Sequence, residues 1–254
     1  MTSRATPPQT HQRPTWPGTD QARADNDSDE HSDAFLAVTR FLDHDHPSVL
    51  AFAAAAVNDI NDQTAAACAI FTAVRDQLWY DPYSLSADPN AYRASRIAES
   101  DKGWCVPKAV LLTAACRAAG IPARLGFADV RNHLQTDALR ARMGGSDLFV
   151  YHGYTEMLLN GRWVKATPAF NRELCERFGV PPIDFDGVHD ALMHPYSGDG
   201  SRYMQYVNDH GWYSDLPLEE IFQALHAEYG GQLPVGGDNP DHSAPRPNDQ
   251  FRRQ

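Results

Sequence analysis

Cys105 and His152 are the two side chains in this sequence of 254 residues whose settings suit covalent chemistry. Cys105 stands in Gly103-Trp104-Cys105-Val106-Pro107, where an extended stretch enters an Ala/Leu-rich helix that runs to Ala119 and stops at Gly120. The start of a helix offers free N–H groups and positive potential, and both favour a thiolate. The same N–H groups can hold an oxyanion during acyl transfer. Pro107 suits the first helical turn. Gly103 and Trp104 shape the approach to the thiol, which makes Trp104 a candidate substrate contact. The other cysteines, Cys68, Cys116 and Cys175, read as small buried hydrophobes. Cys116 lies about three turns along the same helix, too far from Cys105 to share a disulfide or a metal. No pair forms Cys-x-x-Cys, so free thiols are expected.

His152 precedes the strongest turn signal in the chain, Asn160-Gly161, which predicts a two-residue type I′ hairpin. Such a loop fixes the register: Leu159 faces Arg162, Leu158 faces Trp163, Glu156 faces Lys165 and Tyr154 faces Thr167. One face then carries His152, Tyr154, Glu156 and Leu158 with Trp163, Lys165 and Thr167. Thr167 becomes the diagonal neighbour of His152, and its hydroxyl can orient the imidazole. Glu156 and Lys165 read as a cross-strand ion pair. Tyr154 and Trp163 either line a substrate groove or fill the core; Tyr154 is kept as a candidate substrate contact. A thiol, a base within hydrogen-bond reach and a third group that orients the base together make a nucleophile for carbonyl carbon.

The elements that must position these groups follow from periodicity. Apolar residues at helical spacing predict a helix over 33–43, a second after Pro47 and a third from Asp62 to Leu78. Residues 82–103 read as irregular, 123–130 as a strand, 131–146 as a polar connection and 147–159 as a strand. Residues 172–214 look loop-rich, and a last helix runs from Asp215 to Tyr229 with Glu219 and Glu220 in its first turn. Residues 1–31 and 231–254 have the composition of disordered tails. One domain is expected over 32–230, with a core at about 65–171 and an extension at 172–230.

Composition narrows the function classes. A net charge of −11 is no footprint for nucleic acid. No stretch reaches the length of a membrane span, and the first residues lack the apolar segment of a signal peptide, so a cytoplasmic location is expected. Asp43-His44-Asp45-His46 and His189-Asp190 with His194 do not have the spacing of a metal site. There is no Asp-x-Asp-x-Asp-Gly loop for calcium and no Gly-rich phosphate loop. No metal or cofactor is expected; the oligomeric state stays open.

In order and spacing, the motifs resemble the transglutaminase-like superfamily, a branch of the papain-like cysteine enzymes. The likeness covers roughly residues 65–171. It is carried by Val74-Arg75-Asp76-Gln77-Leu78-Trp79-Tyr80-Asp81-Pro82, by Gly103-Trp104-Cys105, by Arg117-Ala118-Ala119-Gly120-Ile121-Pro122-Ala123-Arg124, by His152-Gly153-Tyr154-Thr155-Glu156 and by Gly161-Arg162-Trp163-Val164-Lys165-Ala166-Thr167-Pro168. The resemblance implies an α+β fold, with a helix carrying the nucleophile packed on an antiparallel sheet carrying the base. It implies Cys105 as nucleophile and His152 as base. Where the family has an aspartate, this chain has Thr167, which can accept a hydrogen bond but brings no charge. Asn171 is a second candidate orienter, by analogy with Cys-His-Asn enzymes. The expected activity is acyl chemistry on a peptide, protein or small amide, by hydrolysis or by transfer to an amine. The rival expectation is a catalytically inactive binding domain.

Overall fold

A computed structural model describes residues 32–133, 135, 137–193 and 204–230. The two tails expected at 1–31 and 231–254 lie outside these residues, as does His194. Helices α1 (Pro47–Val57) and α2 (Gln63–Gln77) come first. Pro47 opens α1, and Asp62 caps α2 by accepting the Ala65 N–H at 2.7 Å. Strand β1 (Trp79–Tyr80), helix α3 (Ala94–Ala98) and strand β2 (Lys102–Gly103) lead into α4 (Cys105–Ala118). Every residue from Cys105 to Arg117 is buried. A helix apolar on all sides belongs at the centre of a domain. Here α1, α2 and α3 cover one side of α4 and the sheet covers the other.

That sheet has the order β5-β4-β3-β6 and is antiparallel throughout. Its strands are β3 (Ala123–Asn132), β4 (Leu148–Leu159), β5 (Arg162–Ala166) and β6 (Met204–Tyr213). Helix α5 (Asp137–Arg142) lies between β3 and β4, α6 (Arg172–Phe178) follows β5, and α7 (Leu218–Tyr229) ends the domain. Asn160 and Gly161 have φ of 51° and 74°, as a type I′ turn requires. The predicted pairs from Leu159–Arg162 to Glu156–Lys165 are all present. The ladder ends at Thr155–Ala166, one step short of Tyr154–Thr167, because Thr167 N–H donates instead to Ala191 O at 2.9 Å.

Four expectations need correction: the segment read as irregular at 82–103 contains α3 and β2, the connection at 131–146 contains α5, and two more concern the flanks of the core. Residues 33–43 are not one helix: a short 3-10 turn at Ser32–Leu36 is followed by irregular chain. Its backbone groups bond across the molecule. Arg117 Nη1 donates to Ala37 O at 2.7 Å, Phe41 N–H to Asp215 Oδ1 at 3.3 Å and Ala94 N–H to Phe41 O at 2.8 Å. The loop-rich segment 172–214 contains α6 and the ten-residue strand β6. Asn208, Asp209, His210 and Gly211 disguise that strand as a turn, and the β3–β6 register does shift beside them.

Candidate active site

Cys105 is the first residue of α4, and its carbonyl and helical turn meet the middle of β4. The contact is close because Gly153 has no side chain. A Cβ on Gly153 would lie 3.2 Å from Ala109 Cβ, from Cys105 O and from Val106 Cα. Glycine inside a strand marks such an approach of backbone to backbone. Two residues further on, Thr155 Oγ1 donates to Ala109 O at 3.1 Å and lies 3.0 Å from Thr113 Oγ1. The His152–Gly153 step is thereby fixed on the first turn of the helix.

The sulfur sits in a dry environment. Cys105 is 5% exposed, and burial pushes its thiol up to about 12 against the N–H groups of Gly153, Val106 and Cys105 itself, which favour the thiolate. His152 is 4% exposed, and burial pushes its imidazole down to about 4. Burial thus disfavours the charged form of each group. This corrects the expectation of a lowered thiol pKa. The N–H groups at the helix start are present, but loss of solvent outweighs them.

The expected orienting groups are engaged elsewhere. Thr167 is buried and donates through Oγ1 to Gly153 O at 3.4 Å. It secures the Gly153–Tyr154 peptide and makes no bond to the His152 ring among the described residues. Asn171 Oδ1 accepts the Tyr80 N–H at 2.6 Å, while Nδ2 donates to Arg75 O and Leu78 O, each at 2.7 Å. Lys108 Nζ donates to the same two carbonyls at 2.8 and 2.6 Å. Asn171 and Lys108 thus cap the C-terminal end of α2, which leaves carbonyls in need of donors. Among the described residues, His152 Nδ1 has no hydrogen-bond partner.

The two candidate substrate contacts are interior. Tyr154 is fully buried over Gly126, where a Cβ would come within 2.1 Å of its ring. Its hydroxyl donates to Asp209 Oδ1 at 3.3 Å. Its size and register serve packing, so it lines no open groove. Trp104 is 6% exposed and meets Tyr92 edge to face, with centroids 6.4 Å apart. An open cleft of about 840 Å³ borders the helix start through Gly103 and Pro107 and is walled by Tyr92, Arg93, Ser95 and Lys102. The cluster at Asp43–His46 serves the fold. Asp43 accepts from Arg93 Nε and from Ser95 N and Oγ, and His46 caps α1. Sequence reasoning passed over Gly153, although a glycine inside a strand was a readable signal.

The order of elements, the buried helix with cysteine at its start and the antiparallel sheet with histidine opposite define an α+β fold of the papain-like, transglutaminase-like type. Residues 51–168 match the family model of the transglutaminase-like superfamily, and this segment belongs to that superfamily. Two solved structures are similar. One is a candidate cysteine protease from Cytophaga hutchinsonii, 19% identical, with a TM-score of 0.43 over 72% of this chain and 48% of that one. The other is a candidate protease from Parabacteroides distasonis, 19% identical, with a TM-score of 0.33 over 53% of this chain and 26% of that one. The chain thus spans about half and about a quarter of their lengths. No curated protein matches the sequence. Among the described residues, no helix is long and apolar enough to cross a membrane.

Proposed function

We propose that this protein performs cysteine-dependent acyl chemistry on an amide or ester of a peptide, protein or small molecule. The observation that carries the reading is the docking of the His152–Gly153 step on the first turn of α4, with the Gly153 N–H directed at the Cys105 sulfur. Cys105 attacks the carbonyl carbon while His152 takes the thiol proton. His152 then returns that proton to the departing amine or alcohol, leaving a thioester on Cys105. Water resolves the thioester in a hydrolase and an amine resolves it in a transferase. Water is the simpler acceptor, since it is always present. The Cys105 N–H at the helix start helps to hold the oxyanion.

Because burial favours the neutral pair, the thiol gives up its proton during attack. General-base help from His152 then carries weight in the rate, typically 10²–10⁴-fold. The same burial supports a second reading, a transglutaminase-like binding domain without catalysis. Cys105 and His152 are 5% and 4% exposed, and Thr167 supplies no carboxylate. Screening peptides and small amides against the wild type and Cys105→Ala separates the two. Turnover lost in Cys105→Ala supports the enzyme; turnover that survives the substitution rejects Cys105 as nucleophile. Binding without turnover by both proteins supports the binding domain.

A further inference from the structure

The β3–β4 ladder pairs Ala128 with His152 and next pairs Val130 with Phe149. Between those pairs β3 has only Asp129, whereas β4 has Val150 and Tyr151. The other flank of β3 is interrupted at the same level. Phe127 faces Gly211 and Ala128 faces Asp209, so His210 is extra on β6. Asp129 faces Asn208 and Val130 faces Tyr206, so Val207 is extra as well. Bulges leave a residue unpaired, bend the strand and re-aim the side chains beside them. The bulge on β4 falls immediately before His152.

One carboxylate serves both bulged strands. Asp129 Oδ1 accepts the Tyr151 N–H at 3.0 Å and lies 2.7 Å from His210 Nε2. Asn208 Nδ2 donates to Asp129 Oδ2 at 3.3 Å. Tyr151 has φ 52°, a left-handed backbone that a bulky residue rarely adopts. Its ring stacks on the His210 imidazole, with centroids 4.0 Å apart and planes 17° from parallel. The side chains of Asp129 and His210 are 14% and 19% exposed, so this is no loose surface pair. A strained backbone persists only where its surroundings fix it. Here the fixing groups are Asp129, which holds the Tyr151 N–H, and His210, which holds the ring.

We propose that Asp129 and His210 are positioning residues for His152: together they hold the kink at Tyr151 that fixes the backbone position and the strand face of the next residue. The inference rests on the Cys105–His152 reading. Neither residue touches the thiol in this account; both act through the backbone of Tyr151. The bulge before His152 sets where regular alternation resumes on β4, and with it the face that His152 takes.

The test is the rate of Cys105 alkylation by iodoacetamide in the full chain, followed by peptide mapping from mildly acidic to alkaline pH. His152→Ala, Asp129→Ala, Asp129→Asn and His210→Phe are compared with the wild type. Asp129→Ala is expected to slow labelling near neutral pH by on the order of tenfold or more, with a pH profile that collapses onto that of His152→Ala. Asp129→Asn keeps an acceptor for the Tyr151 N–H and recovers most of the rate. Loss of stability alone would expose Cys105 and speed its labelling. Should Asp129→Ala fail to fold, His210→Phe carries the test: it keeps the stacked ring, loses the carboxylate contact and is expected to shift the profile in the same direction. Folded Asp129→Ala or His210→Phe with the wild-type profile overturns the inference. If His152→Ala itself keeps the wild-type profile, the Cys105–His152 reading falls first, and the positioning role falls with it.

Discussion

Two buried polar clusters lie within a few residues of each other on α4, and they are built in opposite ways. At the end of α2, Lys108 and Asn171 satisfy Arg75 O, Leu78 O and the Tyr80 N–H with five hydrogen bonds of 2.6–2.8 Å. At the start of α4, Cys105 and His152 are equally buried, yet His152 Nδ1 has no partner among the described residues. Buried polar groups in folded proteins are nearly always paired, so an unpaired one calls for a reason. The first cluster is a helix cap. In the second, burial of the imidazole is not matched by a hydrogen bond at Nδ1.

Removing the cap is the sharpest way to test this contrast. Asn171→Ala should lower unfolding free energy by about 3 kcal/mol or more, because it leaves the Tyr80 N–H buried without an acceptor and thins the donors on two carbonyls. His152→Leu should change stability by less than about 1 kcal/mol, since its buried Nδ1 makes no hydrogen bond among the described residues. Urea unfolding of both variants at neutral pH checks the pair. Equal losses would erase the distinction between cap and site.

Acid gives the next largest effect. His152 titrates near 6.5 when unfolded and is pushed down to about 4 by burial in the folded protein. Between these values the unfolded chain binds the extra proton, so stability is lost as pH falls from about 6.5 to about 4 and is unaffected by this group above that window. The loss amounts to about 3 kcal/mol at the acid end. Urea midpoints at pH values on either side of the window should fall less in His152→Leu than in the wild type. An equal fall would mean that the imidazole is not held neutral.

The smallest effect is expected at Thr167. Its one hydroxyl bond among the described residues, to Gly153 O, is long at 3.4 Å. Thr167→Val should cost about 1 kcal/mol or less and leave the iodoacetamide profile of Cys105 close to wild type. A large change in that profile would return Thr167 to the role of orienting group.

The same contrast explains what the sequence could reveal. The type I′ hairpin was legible because Asn160-Gly161 admits few alternatives, and with it came the register from Leu159–Arg162 to Glu156–Lys165. The helix that begins at Cys105 was legible from its Ala/Leu run and Gly120. Local signals failed where distant groups decide. The backbone of residues 37–41 is claimed by Arg117 and Asp215, so helical spacing at Phe35, Phe41 and Leu42 produced no helix. The strand β6 hides behind Asn208-Asp209-His210-Gly211, a turn-like run that coincides with its bulges at Val207 and His210. The predicted shared face of His152 and Tyr154 agrees with the unbroken ladder from His152 to Met157, whereas nothing in the local pattern announces the kink at Tyr151 just before it. The resting protonation of Cys105 depends on burial, which a motif does not encode.

The central claim is that the Cys105 sulfur, assisted by His152, is the nucleophile. Its most direct test is acid quenching after brief exposure to p-nitrophenyl acetate, followed by mass mapping of the acetyl group. The account predicts one acetyl group on the peptide containing Cys105, none there in Cys105→Ala and a rate lower by about 10²-fold or more in His152→Ala. Acetylation at another site, or at Cys105 with an undiminished rate in His152→Ala, would contradict it.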